Sequence, residues 1–293
     1  MLTPGQDRPL LAIAFMLVAV TCLSAVDAIG KAAIEFLPSV QILFLRSVCI
    51  LAVMVPTQLR GREIALRTSV PWLHAANVAA WLVTMGAFYA ALGDMQLATI
   101  TAILFTAPLF MTALSVPLLG ERVGVHRWAA ILIGLVGTMI VVQPGAAGGS
   151  IGAALLALLS AFGWALNMVI MRRLTRTESN ATVLLHANAG AVVALGVLTI
   201  FVWRPVSLHA ALLIVAIAAS LVTGQYLQLR AFRLAPIGVV APFQYFQLIS
   251  ATFAGWLVWN EWPARNVWFG AVIVTASGLY VIWREQRRAA PRT

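Results

Sequence analysis

Gly120-Glu121-Arg122-Val123-Gly124-Val125-His126-Arg127-Trp128 returns, loosely, as Asn260-Glu261-Trp262-Pro263-Ala264-Arg265-Asn266-Val267-Trp268. Glutamate and tryptophan keep their spacing of six intervening residues, and the copies lie 140 positions apart. The same offset carries Ala91 onto Ala231, Val141 onto Val281 and Asp27 onto Asn167, without a gap between residues 10 and 145. Each half is almost wholly apolar and reads as five membrane spans. An odd number of crossings per copy turns the second copy upside down. Inverted repeats of this kind put a pseudo-two-fold axis in the membrane plane, an architecture used by secondary transporters.

Composition sets the class. Hydrophobic residues make up 62% of the chain and charged residues 10%, with a mean hydropathy of +0.96. A water-soluble domain cannot hide that much apolar surface, so the expected fold is an all-α polytopic membrane protein. A helix needs roughly 20 apolar residues to cross a bilayer core. Ten such runs fit: 10–30, 40–58, 71–92, 97–119, 127–143, 151–171, 182–203, 210–229, 236–258 and 267–283. They divide into repeats at 1–145 and 146–293, and are expected to surround a central cavity. The fifth and tenth runs are equally short, which points to tilted or thinned spans. The period-two alternation of a β-barrel is absent.

The net charge of +10 follows topology. With the N-terminus inside, the inner segments hold Arg8, Arg60, Arg62, Arg67, Arg122, Arg127, Arg172, Arg173, Arg176, Arg230, Arg233, Arg284, Arg287, Arg288 and Arg292. The outer segments hold only Lys31, Arg204 and Arg265. That bias predicts cytoplasmic termini and contact with lipid, and gives no ground for a nucleic-acid partner. Cys22 and Cys49 lie in apolar spans and imply neither a disulfide nor a metal site. The first span is longer than a signal-peptide core and has a repeat mate in the sixth, so it reads as a retained helix.

Gln143-Pro144-Gly145, followed by Ala146-Ala147-Gly148-Gly149-Ser150, reads as the linker between the repeats. Pro71 and Pro236 open spans three and nine, where proline costs no helical hydrogen bond. Pro108, Pro117 and Pro242 are placed inside spans four and nine, as static kinks or as gating hinges.

Polar residues inside spans face a cavity or each other. Asp27 and Lys31 are one turn apart near the outer end of span one, and Arg46 sits at similar depth in span two. These three form either a structural ion cluster or a site for a substrate carboxylate or a coupling ion. The offset maps Asp27 onto Asn167 and Arg46 onto His186. In span three, His74, Asn77, Trp81 and Thr84 share a helix face, with Tyr89 further on. Trp164 and Asn167 in span six, Gln225 in span eight and Gln244 and Tyr245 in span nine complete the candidate binding residues. Asp27, Lys31, Arg46, His186, Pro108 and Pro242 are the candidates for coupling or gating. Each amide or imidazole serves equally as an interhelical hydrogen bond.

No HExxH, G-x-S-x-G or Walker motif occurs, so neither catalysis nor ATP-driven transport is expected, and no cofactor or metal is implied. An intramembrane enzyme or a membrane scaffold is the rival class.

Phe88-Tyr89-Ala90-Ala91-Leu92, Ala107-Pro108-Leu109, Gly120-Glu121-Arg122, Trp128 and Gly137 resemble the EamA pattern of the drug/metabolite transporter superfamily. Ala241-Pro242, Asn260-Glu261, Trp268 and Gly270 repeat it more loosely. Asp27-Ala28-Ile29-Gly30-Lys31 and Leu45-Arg46-Ser47 look close to the YddG type of bacterial amino-acid exporter. The resemblance implies secondary-active or facilitative efflux of aromatic and other neutral amino acids across the bacterial inner membrane. A multidrug or other small-metabolite carrier of the superfamily is the alternative. For an amino acid, Trp81, Tyr89, Trp164, Phe243 and Tyr245 would supply aromatic walls and cation–π contact. Ten spans can close a cavity within one chain, so a monomer is expected to suffice.

Overall fold

The computed structural model describes residues 9–61, 68–120, 125–141, 150–235 and 240–289. Among these residues all regular structure is helical, without strands. The first half comprises α1 (Pro9–Ala33), α2 (Ser39–Gly61), α3 (Pro71–Leu92), α4 (Leu97–Leu104), α5 (Ala107–Leu119) and α6 (Val125–Val141). The second comprises α7 (Ile151–Leu174), α8 (Asn180–Val202), α9 (Leu208–Leu234), a 3-10 turn (Ala241–Tyr245), α10 (Phe246–Trp259) and α11 (Arg265–Ala289).

Seven stretches are long and apolar enough to cross a membrane: Pro9–Ala33, Ser39–Pro56, Pro71–Leu92, Leu97–Leu119, Ile151–Leu174, Thr182–Val202 and Leu208–Leu234. The fifth predicted span appears as the shorter apolar helix Trp128–Val141. The ninth and tenth are helical too, in α10 and α11, outside those seven. Large apolar side chains cover the outside: Phe201 is 81% exposed, Ile200 75% and Phe269 69%. A surface so apolar requires lipid as its solvent.

The 140-residue offset is visible in the packing. α1 lies along α9, and α3 along α7. The offset exchanges the first span with the sixth and the third with the eighth, so these are one interface seen twice. A Cβ on Gly163 would come within 2.6 Å of Thr84 Oγ1. The offset maps that pair onto Leu23 and Gly224, and a Cβ on Gly224 would lie 3.2 Å from Leu23. Small residues let helix backbones approach closely where lipid offers no hydrophobic drive for association. Between the mates α6 and α11, Gly137 and Gly270 bring the backbones together in the same way.

The quoted stretch has a conformational basis. Gly120 and Asn260 end α5 and α10 in the left-handed region, with φ of 69° and 54°. Glycine is the natural residue there and asparagine the usual substitute, so the second copy's departure preserves the cap. The Glu261 N–H then donates to the Gly255 carbonyl at 3.1 Å, closing the turn that aims its side chain inward.

The prolines differ from expectation. Span four is two helices, broken at Phe105–Thr106, and Pro108 lies in the first turn of α5 instead of inside a continuous helix. A missing N–H is harmless in a first turn. Pro242 likewise opens the 3-10 turn, and that turn gives way to α10 at Tyr245, the mate of Phe105. The two breaks meet: the Phe105 and Tyr245 rings are 4.9 Å apart. Pro117 does lie within α5. Residues 143–149 of the linker, Arg8, Arg62, Arg67, Glu121, Arg122, Pro236 and Arg292 lie outside the described residues. The last residue of the linker, Ser150, caps α7 by accepting the Ala153 N–H at 3.1 Å.

Candidate functional site

Polar side chains collect at three levels along α3. Its first turn holds His74, and Met95 follows its last turn. The rise between them is about 30 Å, the thickness of a bilayer core.

Near Met95, Lys31 at the end of α1 pairs with Glu261 across the α10–α11 corner, Nζ to Oε1 at 2.5 Å. The ammonium also donates to the Met95 carbonyl at 3.4 Å and lies 4.9 Å from the Trp259 ring centroid. Glu261 Oε2 accepts the Leu97 N–H at 3.4 Å. Residues of both halves therefore meet around one charge pair. The expected cluster of Lys31 with Asp27 and Arg46 is corrected accordingly: Lys31 turns to Glu261 and Trp259.

One turn inward from Lys31, Asp27 and Arg46 approach without an ion pair among the described contacts. Asp27 Oδ2 accepts from Gln247 Nε2 at 3.3 Å, and the Ser24 hydroxyl holds the Gln247 carbonyl at 3.1 Å. Arg46 is only 5% exposed. Its guanidinium donates to Met85 Sδ at 3.4 Å and lies 5.4 Å from the centre of the Trp81 ring. The Tyr89 hydroxyl sits beside the same charge and over Gly30, where a Cβ would come within 2.7 Å of it. Gly30 therefore makes the room that Tyr89 occupies.

At the other end of α3, His74 Nε2 meets Glu178 Oε2 at 2.6 Å, with both side chains buried. Thr68 donates to the other carboxylate oxygen. His186 stacks against His74 with ring centroids 4.6 Å apart, and its Nδ1 lies 2.9 Å from the Thr182 carbonyl oxygen. Residues of both halves meet here too. Burial pushes the Glu178 carboxyl up, but hydrogen bonds from Thr68 and His74, the His74 charge and the Ser69 N–H outweigh it and hold the carboxyl below its ordinary value. Such a group stabilises the fold above the unfolded glutamate pKa of about 4.3 and loses that contribution as pH falls through its folded value. Glu178→Gln should therefore unfold at a lower temperature than the native protein at neutral pH. The gap should close as pH falls below the unfolded value and through the lower folded one. A pH-independent gap would assign Glu178 to packing alone.

The other candidates are dispersed. Asn77 and Asn167 bond each other: Asn167 Nδ2 donates to Asn77 O and Oδ1, each at 3.0 Å, between α3 and α7. Both are buried, so their positions fit a helix clamp better than a cavity wall. Trp164 is 42% exposed on α7, and Gln225 is exposed on α9. Tyr245 faces Phe105 and Gly278, and Gln244 lies beside it in the 3-10 turn. Glu261, Glu178, Met85 and Trp259 are neighbours of these candidates that sequence reasoning did not assign, and Gln247 belongs to the polar set of span nine. Glu261 was legible as the conserved-spacing glutamate of the repeat, though not as the partner of Lys31. Among the described residues, no group of three or more His, Cys, Asp or Glu side chains is placed to hold a metal.

Comparison with known proteins agrees with this architecture. The model of the EamA-like transporter family matches residues 10–143 and again 151–283. A riboflavin transporter of Rhizobium johnstonii is 33% identical over 232 residues, 76% of this chain and 74% of that protein. An S-adenosylmethionine uptake transporter of Rickettsia bellii is 27% identical over 277 residues, 94% of each. A pseudopaline exporter of Pseudomonas aeruginosa is 28% identical over 256 residues, 86% of this chain and 89% of that one. A solved crystal structure superposes with a TM-score of 0.64 at 17% identity, over 95% of this chain and 99% of its own, a likeness of fold alone.

Proposed function

The chain belongs to the EamA-like transporter family, and from that premise we propose an alternating-access carrier of a small organic metabolite in the bacterial inner membrane. Residues 1–145 and 146–293 act as inverted repeats, with both termini cytoplasmic as the arginine distribution indicates. The His74–Glu178 pair is then the cytoplasmic latch and Lys31–Glu261 the outer latch. One observation carries the reading: charge pairs at opposite ends of α3 each tie one half to the other. Asp27, Arg46, Trp81 and Tyr89 lie between them, where a substrate is enclosed while both latches hold. One chain supplies both latches and the pocket, which favours action as a monomer. A carrier latched at each end runs either way, down the larger gradient.

Neutral amino-acid export is the narrower version of this reading. The opposed charges of Asp27 and Arg46 suit an ammonium and a carboxylate. The related carriers named above point instead to larger metabolites, of the kind that riboflavin and S-adenosylmethionine represent. Liposomes containing the purified protein should take up radiolabelled riboflavin or S-adenosylmethionine faster than labelled tryptophan or leucine. Faster movement of the amino acids would restore the narrower reading. No movement of any of the four above empty liposomes would count against this substrate class.

A further inference from the structure

We propose that Arg46 is an oxyanion subsite: its guanidinium takes a carboxylate or phosphate-type group of the transported metabolite, with Asp27 as the counter-charge that this group displaces. The proposal rests on the carrier reading and narrows it, favouring oxyanion-bearing substrates such as S-adenosylmethionine over those without an oxyanion, such as riboflavin.

A buried arginine carries a permanent charge and a rigid fork of five donors, which ordinarily meets oxygen acceptors in pairs. Arg46 is buried, and besides the Tyr89 hydroxyl, a neutral partner, it meets soft groups. One terminal nitrogen reaches the thioether of Met85, a weak acceptor, and the guanidinium carbon lies 5.4 Å from the Trp81 ring centroid. Its Nε–H is buried without a hydrogen-bond partner. The nearby carboxylate, Asp27, is engaged by Gln247 and forms no ion pair with Arg46 within 4.0 Å. Buried donors are almost always satisfied, and an exception between the two latches is a place where a ligand can supply the acceptor.

The neighbours fit that role. A thioether contact is weak and easily exchanged for a charge-assisted bond to an oxyanion. Trp81 offers a flat face on which a ring attached to the oxyanion can lie. Lys31, the other cation of this region, is held by Glu261 and the Met95 carbonyl, so it does not compete for the anion. Asp27 lies close enough to offset the Arg46 charge. An entering anion takes over that task.

Benzoate and benzamide share a ring and a shape and differ in the oxyanion. We expect benzoate to raise the thermal unfolding temperature of the purified protein saturably, with benzamide at least tenfold weaker. Arg46→Gln should abolish the benzoate response, and Arg46→Lys, which keeps charge without the fork, should weaken it severalfold. Asp27→Asn should strengthen it severalfold, because Arg46 is then uncompensated. The opposite signs at positions 46 and 27 separate ligand recognition from a general loss of stability. Should Arg46→Gln not fold, the lysine and Asp27→Asn variants still decide the matter. Inorganic phosphate is assayed in parallel, and a response to it in place of benzoate would assign the oxyanion to the phosphate type. Equal responses to benzoate and benzamide, a response retained in Arg46→Gln, or a weaker one in Asp27→Asn would overturn the proposal, as would no response to either benzoate or phosphate. A benzoate response in a protein that moves none of the panel substrates would count against the proposed substrate class and leave the subsite standing.

Discussion

Lys31→Met should slow transport in liposomes by roughly tenfold to a hundredfold, and Glu178→Gln should slow it comparably. Hydrogen bonds to a charged group contribute about 1.5–3 kcal/mol. Each 1.4 kcal/mol shifts a two-state population tenfold, so losing one latch traps the carrier open on that side. The variants fail in opposite ways: Lys31→Met strands the pocket open to the outside, and Glu178→Gln to the cytoplasm. Their combination should therefore recover part of the lost rate, because both ends are weakened together. A double variant slower than either single one would mean the pairs are ordinary structural bridges.

Gly270→Leu should prevent folding. A side chain there would start 2.5 Å from the Gly137 carbonyl and 2.4 Å from Val141 Cγ2. A carbonyl on a neighbouring helix cannot move aside as a flexible side chain can, so α6 and α11 must separate along their length. Overpacking a close interface costs typically 1–3 kcal/mol, and more where backbone opposes backbone. Yield of monodisperse protein on size-exclusion chromatography in detergent reports the outcome. A well-behaved Gly270→Leu protein with native unfolding temperature would show that the α6–α11 contact contributes little. Gly86→Ala is the natural control, because nothing lies within 4 Å of a Cβ at that position.

How far the sequence could be read depends on the range of the interaction. The repeat was legible because it rests on the chain's own periodicity. Gly120 and Asn260 also carry their meaning locally, as left-handed caps placed just before a glutamate. The breaks in spans four and nine were not legible. Proline at an internal position and proline in the first turn of a new half-helix look alike until the hydrogen bonds around Phe105 and Tyr245 are known. Lys31 was misread for a different reason. Its spacing from Asp27 invites a one-turn pair, while its actual partner lies 230 residues away. His74 and Asn77 were correctly placed on one helix face, but a shared face does not say what it meets. Glu178 draws His74 to one end of the bundle, and Asn167 engages Asn77 within it. Trp81 alone of that face reaches Arg46. Partner identity is a tertiary property, and in a chain this apolar few charges exist to announce it.

Spin-label distances across both ends of the bundle test alternating access most directly. Labels on cysteines at Asp94 and Trp262 report the Lys31–Glu261 end, and labels at Ser69 and Thr177 report the His74–Glu178 end. All four positions are exposed, and Cys22 and Cys49 are first replaced. The account predicts opposed movement. Lys31→Met should lengthen the first distance while the second stays short, and Glu178→Gln should lengthen the second while the first stays short. Distances that lengthen together, or do not change at either end, would contradict it.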